Sequence, residues 1–229
     1  KELEIDIYET QLEKGCFSNC SLLSQLYFYQ SITNIKPFNF TSIENITKIF
    51  LPNSVTSIND KAFINFVSLR EIEIPESVLY IGNESFSGCS SLQSIKLVPS
   101  IQIIGCYAFR ECSSLFNISI PESITEISKG TFNKCSSLTR IEIPNSIQAI
   151  KSYCFSECSS LKEIYIPNSV KTIEINAFSN CSSLEVISIP NSMSQIEDST
   201  FEECTSLFKV DITDSITLIG SNAFKKCSS

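Results

Sequence analysis

Residues 132–154 read FNKCSSLTRIEIPNSIQAIKSYC, and Phe155 then opens the same pattern again. Phe63, Phe86, Phe109, Phe132, Phe155, Phe178, Phe201 and Phe224 recur at a spacing of 23 residues without an insertion, and the phase extends back to Phe40 and Phe17. Three residues after the Phe stands Cys20, Cys89, Cys112, Cys135, Cys158, Cys181, Cys204 or Cys227, with Ile43 and Phe66 filling the column in the two remaining units. Six residues after it stands a Leu in most units, as at Leu92 and Leu138. A fixed period of this length marks a repeat architecture, because one 23-residue unit cannot bury its own Phe, Leu, Ile and Cys and must stack on its neighbours.

Each unit divides by hydrophobic period. FxxCxxL places an apolar residue at every third position, which predicts a short 3₁₀-like or α turn presenting one face. The following stretch alternates, as in Ile141, Glu142, Ile143 and Ile164, Tyr165, Ile166, and this predicts a half-buried strand. Pro52, Pro75, Pro121, Pro144, Pro167 and Pro190 close it, since proline has no N–H to give a ladder. A second apolar pair three apart, such as Ile147 and Ile150, leads back to the next Phe. The expected fold is an α/β repeat solenoid: about ten units, one parallel β-sheet with rungs about 4.8 Å apart, and short helical or 3₁₀ turns. Burial of each Phe should contribute roughly 1.5–3 kcal/mol.

Composition narrows the chemistry. The chain has 229 residues, 11 Cys, no His, no Trp and a formal net charge of −8. Without imidazole, Ser/His/Asp and Cys/His nucleophile systems and Cys2His2 zinc sites are excluded. No Gly-rich phosphate loop or unique carboxylate pair interrupts the repeat. We therefore expect no enzyme, no metal and no cofactor. The acidic balance disfavours nucleic acid, whose binding rests on neutralising phosphates with Lys and Arg. The longest apolar run, around Ile103 to Phe109, falls far short of the roughly 18–20 residues of a membrane span. No membrane insertion by this segment is expected, and no signal peptide is visible in KELEIDIYET.

The pattern LxxIxIP, as in Leu69 to Pro75 and Leu161 to Pro167, with the AF or CF turn and the CSSL tail, resembles the BspA-like class of leucine-rich repeats along essentially the whole chain. The resemblance implies a leucine-rich-repeat fold and a surface-exposed or secreted adhesion or antigen protein with a host or cell-surface protein partner. The alternative is an intracellular or structural interaction and spacer module. The expected organisation is a single repeat domain over 1–229, less regular over 1–46 and regular over 47–229, cut from a longer protein. Its ends would expose apolar residues meant for a neighbour, giving a route to end-to-end self-association.

The polar columns have structural and functional readings. Cys in register with Phe and Leu reads as a buried thiol column, with an occasional disulfide or a metal site as alternatives. Ser nine residues before each Phe, from Ser31 to Ser215, and the Ser pairs before each Leu should satisfy backbone groups at each level. Of six sequons, at Asn19, Asn39, Asn45, Asn83, Asn117 and Asn180, Asn39 and Asn83 are the better glycosylation candidates. With the Ile of IxIP pointing inward, the intervening residues form an outer face, and Glu71, Glu73, Lys96, Arg140, Glu142, Glu163 and Tyr165 are its candidate partner-binding residues.

Overall fold

A computed structural model describes residues 3–4, 23–28, 30–37 and 45–227. The chain winds into stacked coils, each held to the next by parallel pairing at an offset of 23 residues: Leu26 faces Ile49 and Ile49 faces Ile72, just as Ile58 faces Ile81 and Ile81 faces Ile104. The hydrophobic period sets which residues turn inward. Ile72, Ile95, Ile118, Ile141, Ile164 and Ile187 are buried, while their neighbours on either side face out.

The structure corrects the expected fold in two respects. Two parallel ladders run along the stack instead of one. The first joins Leu3–Glu4, Gln25–Tyr27, Lys48–Phe50 and Glu71–Glu73, continues through single bridges such as Ser94 to Asn117 and Glu142 to Tyr165, and ends with Val186–Ser188 beside Lys209–Asp211. The second is made of two-residue strands from the apolar pair after the proline, among them Ser57–Ile58, Tyr80–Ile81, Ile103–Ile104, Ala149–Ile150 and Thr172–Ile173. The buried Ile of that pair packs inward as a strand residue, so its return segment gains ladder bonds as well as burial.

The second correction concerns the turn. No helix forms among the described residues; the segment around each Phe is a chain of tight turns. Alternate N–H groups close bonds within the coil, as Cys112 N to Phe109 O (3.2 Å) and Leu115 N to Cys112 O (3.0 Å). The others point along the stack: the N–H groups of Tyr107, Phe109 and Glu111 donate to the carbonyls of Lys129, Thr131 and Asn133 at 2.8–2.9 Å. A helix would aim all its N–H groups along its own axis and leave none for the neighbouring coil.

Turning alternate peptides outward requires left-handed backbone two residues before and two residues after each Phe. Both positions have φ between 52° and 77° from Lys61 to Lys226, and only Gly88 and Gly130 among them are glycine. Lys, Glu, Tyr and Ser adopt this region at about 1–2 kcal/mol each. The inter-coil hydrogen bonds and the buried ring offset that strain in every coil.

Inside the stack, Phe63 through Phe201 are fully buried. From Phe86 to Phe224 the rings lie 5.2–5.8 Å apart within 14° of parallel. Where Phe66 replaces the cysteine, its ring meets Phe63 edge-on at 5.5 Å and 84°. The serines behave largely as expected. Ser54, Ser77 and Ser100 donate to the preceding coil's Ile32, Val55 and Val78 carbonyls at 2.6–2.8 Å, and Ser123 and Ser192 do the same to Ile101 and Val170. Ser146 and Ser169 break the series, with buried hydroxyl oxygens that lack a partner. The first serine of each pair forms a weaker ladder, as Ser113 Oγ to Ser90 O (3.3 Å) and Ser136 Oγ to Ser113 O (3.4 Å).

One side-chain rule links neighbouring coils. Asp60 Oδ1 accepts Asn83 N at 2.7 Å, Asn83 Oδ1 accepts Cys106 N at 2.8 Å, and Asp198 Oδ1 accepts Ser221 N. In each case the residue just before that N–H is glycine: Gly82, Gly105 and Gly220. A Cβ there would meet the lower coil's backbone at 2.3–2.6 Å. Coils resting on Cys106, Lys129, Ser152 or Ile175 carry Ser128, Lys151, Glu174 and Glu197 at the glycine position.

Gly105→Ala should therefore destabilise the protein by about 1–3 kcal/mol, and Glu197→Ala by no more than about 0.5 kcal/mol, compared by urea unfolding. Hydrogen bonds from the Asn83 carboxamide and backbone, with one from Tyr80, hold the Asp60 carboxyl below its ordinary value. Its stabilising contribution is present above the unfolded value near pH 3.9 and is lost as pH falls through the lower folded value. Asp60→Asn preserves the contact that Asn83 makes one coil later, so it should flatten the acid limb of the Tm–pH profile below about pH 4. An unchanged limb would show that Asp60 does not carry it.

Candidate partner-binding face

The first ladder displays two outward columns. One runs Gln25, Lys48, Glu71, Ser94, Asn117, Arg140, Glu163, Val186, Lys209; the other runs Tyr27, Phe50, Glu73, Lys96, Ser119, Glu142, Tyr165, Ser188, Asp211. Because residues 23 apart are rung neighbours, the candidates fall into two groups. Glu71, Glu73 and Lys96 lie on adjacent coils, and Glu142 stands three coils beyond Glu73, about 14 Å along the stack.

In the first group the charges are matched. Lys48 Nζ meets Glu71 at 2.9 Å, and hydrogen bonding to Glu71 raises the lysine above its ordinary pKa. Lys48 also lies 5.0 Å from the Phe50 ring, which stacks on Tyr27 at 4.3 Å. Glu73 is the register partner of Lys96. Glu71 and Glu73 are thus flanked by lysines on both sides.

The second group converges. Arg140, Glu142, Glu163 and Tyr165, with Ile141, Ile143, Ile164, Val186 and Ser188, line a hollow of about 560 Å³. Arg140 approaches Glu142 at 3.7 Å with both side chains largely exposed, an arrangement that contributes little to stability. Tyr165 is 73% exposed. An adjoining hollow of about 390 Å³ shares Arg140, Ile141 and Glu142 and adds Phe116, Asn117, Ser119 and Thr139. Phe116, half exposed, was not among the candidates. Its signal was available in the sequence: the column seven residues after Phe reads Arg70, Gln93, Phe116, Thr139, Lys162, Glu185, Phe208, and two aromatic residues break an otherwise polar series.

The glycosylation candidates are placed unevenly. Asn39 lies outside the described residues. Asn83 is half-buried, its Nδ2 donating to Asp60 Oδ2 at 3.0 Å and its Oδ1 accepting from Cys106 N. Asn117 is exposed at the edge of the smaller hollow.

The cysteines are the remaining side chains with chemistry of their own. Every described cysteine is a free thiol, and the column from Cys89 to Cys204 is buried. Each thiol donates to the Phe carbonyl of the coil below: Cys89 to Phe63, Cys112 to Phe86 and Cys135 to Phe109, all at 3.2 Å. The series continues through Cys227 to Phe201 at 3.1 Å. Loss of solvation on burial pushes Cys89 up to about 12 and Cys227 up to about 11, and it raises Cys112, Cys158 and Cys181 well above an ordinary thiol. Thiols held protonated in this way are poor nucleophiles and poor metal ligands. Among the described residues no group of three or more Cys, Asp or Glu is placed to hold a metal ion.

A stack of coils with an inert interior and a varied strand face defines a leucine-rich-repeat protein, a class that in general serves as a protein-interaction scaffold. The family model of the BspA type leucine-rich repeat region, in six copies, matches residues 10–139 and 102–229, so the chain belongs to that family. Among solved structures it is similar to a leucine-rich repeat protein from Bacteroides ovatus, with 25% identity over 99% of this chain and 72% of that one and a TM-score of 0.69. It is also similar to the leucine-rich repeat protein of T. pallidum, with 30% identity, coverage of 79% and 76%, and a TM-score of 0.61. A leucine-rich cell surface protein from Faecalibacterium prausnitzii matches at 28% identity, with coverage of 87% and 63% and a TM-score of 0.59. A comparison with curated proteins found no match. No helix among the described residues is long and apolar enough to cross a membrane.

Thiol chemistry checks the interior. Among the described cysteines of the native protein, half-buried Cys106 should react first with a disulfide reagent, Cys227 slowly, and Cys89, Cys112, Cys135, Cys158, Cys181 and Cys204 only on unfolding. Site-resolved mass spectrometry showing the buried column labelled at the rate of Cys106 would contradict the packing.

Proposed function

We propose that this chain is a non-catalytic binding scaffold, displayed at the cell surface or secreted, that recognises a protein partner through the first ladder's outer face. The observation carrying this reading is the pair of adjoining hollows, where Tyr165 and Phe116 stand exposed on a face whose other outward residues are mostly small or charged. Exposed aromatic residues and arginine supply much of the energy of protein contacts. Similarity to the F. prausnitzii cell surface protein supports the location. The array is read as one repeat domain, with the second group of candidates as its contact centre and Glu71, Glu73 and Lys96 as its rim.

Two measurements test the proposal. Labelling of intact source cells with a membrane-impermeant amine reagent should mark this protein, or the protein should be recovered from the medium; labelling only after lysis overturns the location. The double variant Phe116→Ser/Tyr165→Ser should keep its Tm within a few degrees, since both side chains are exposed, and bind the partner captured by the native protein at least tenfold more weakly. Undiminished binding by the folded variant overturns the strand face as the contact surface.

A further inference from the structure

The larger hollow has a composition more specific than a general contact surface needs. Its floor is apolar, built from Ile141, Ile143 and Ile164. Tyr165 stands above it, 73% exposed and with no ring stacked on it among the described residues. Two carboxylates flank that ring. Glu142 is its register partner on the preceding coil, and Glu163 lies two residues earlier on the same face of the same strand. Arg140 is the one cation lining the hollow and approaches Glu142 at 3.7 Å. Among the described residues Glu163 has no ion pair within 4.0 Å.

We infer that this hollow receives a long basic side chain, arginine or lysine, from the protein partner; the inference rests on the strand face being the partner surface. The methylene stem of such a side chain lies on the isoleucine floor. Its cationic head sits over the open Tyr165 ring and against Glu163. Arg140 pairs with Glu142, which leaves Glu163, the rung neighbour of Arg140 on the next coil, as the carboxylate open to the incoming charge. The surroundings agree in sign, since the chain carries a net charge of −8 and attracts basic partners during encounter. An acidic or phosphate-bearing group would instead face two carboxylates.

The test is a titration of the intact, isotope-labelled chain with the peptide acetyl-(Gly-Arg)4-amide, and in parallel with acetyl-(Gly-Glu)4-amide, followed by amide chemical shifts. The arginine peptide should shift Glu142, Glu163, Tyr165, Val186 and Ser188 most. Glu163→Gln and Tyr165→Ala should each weaken its binding about two- to fivefold. Arg140→Ala should strengthen it about twofold by removing the like charge, whereas a role for Arg140 as a direct contact predicts weakening. All three side chains are exposed, and an unchanged Tm confirms that each variant folds. Shifts spread over the acidic surface or centred on Glu71 and Glu73, or affinities unmoved by the three variants, overturn the inference. Preferential binding of the glutamate peptide in the hollow also overturns it, while leaving the strand face standing as the contact surface. Failure of the Phe116/Tyr165 double variant to weaken binding of the captured partner removes that surface itself.

Discussion

Every coil must lie on its neighbour so that outward-turned peptide groups meet carbonyls along the stack, and the remaining structure follows from that requirement. It explains the unbroken spacing of 23, since an insertion would displace three hydrogen-bonded sides at once. It also explains the left-handed backbone on both sides of each Phe, which converts what would have been a helical turn into a row of N–H donors aimed at the next coil. Strain at Lys61, Glu84, Tyr107 or Glu157 persists because neighbours on both sides over-determine the conformation. A single isolated unit would have no reason to hold it.

The interior solves a related problem of polar satisfaction. From Phe86 to Phe201 each Phe carbonyl in the column accepts the N–H of the Cys three residues on and the thiol of the following coil's Cys, as at Phe86, where Cys89 N and Cys112 Sγ both donate. Cysteine is small enough to sit beside the stacked rings and carries a weak donor that reaches the carbonyl, which leucine or alanine would not supply. The Asp or Asn side chain that meets an N–H in the next coil has a similar logic and imposes glycine just before that N–H. Both are rules between coils, and both leave the strand face free of structural duty.

That freedom is why the proposed contact surface lies on the first ladder. Inward positions repeat with little variation, because each must fit the same cross-section. The outward columns carry Glu71, Lys96, Asn117, Arg140, Glu163 and Val186 in succession, and the shared cross-section sets no requirement on them. The hollow around Tyr165 spans coils whose units are nearly identical inside and differ only in what they display.

The sequence alone determined the solenoid, its period, the inward Phe, Cys, Leu and Ile, and the outward set from which the candidate face is drawn. These depend on hydrophobic periodicity, which is local and repeats often enough to leave one solution. It did not reveal the second ladder or the absence of helix. The residues that adopt left-handed backbone are Lys, Glu, Tyr or Ser at ten of sixteen positions and Asn or Gly at the other six, too mixed a set to announce a conformation imposed by bonds to another coil. Nor did it show that Arg140, Glu142, Glu163 and Tyr165 share one hollow while Glu71, Glu73 and Lys96 stand apart, or that Phe116 joins the face. Those facts depend on side-chain contacts between residues 23 apart, and only the stacked tertiary structure brings such residues together.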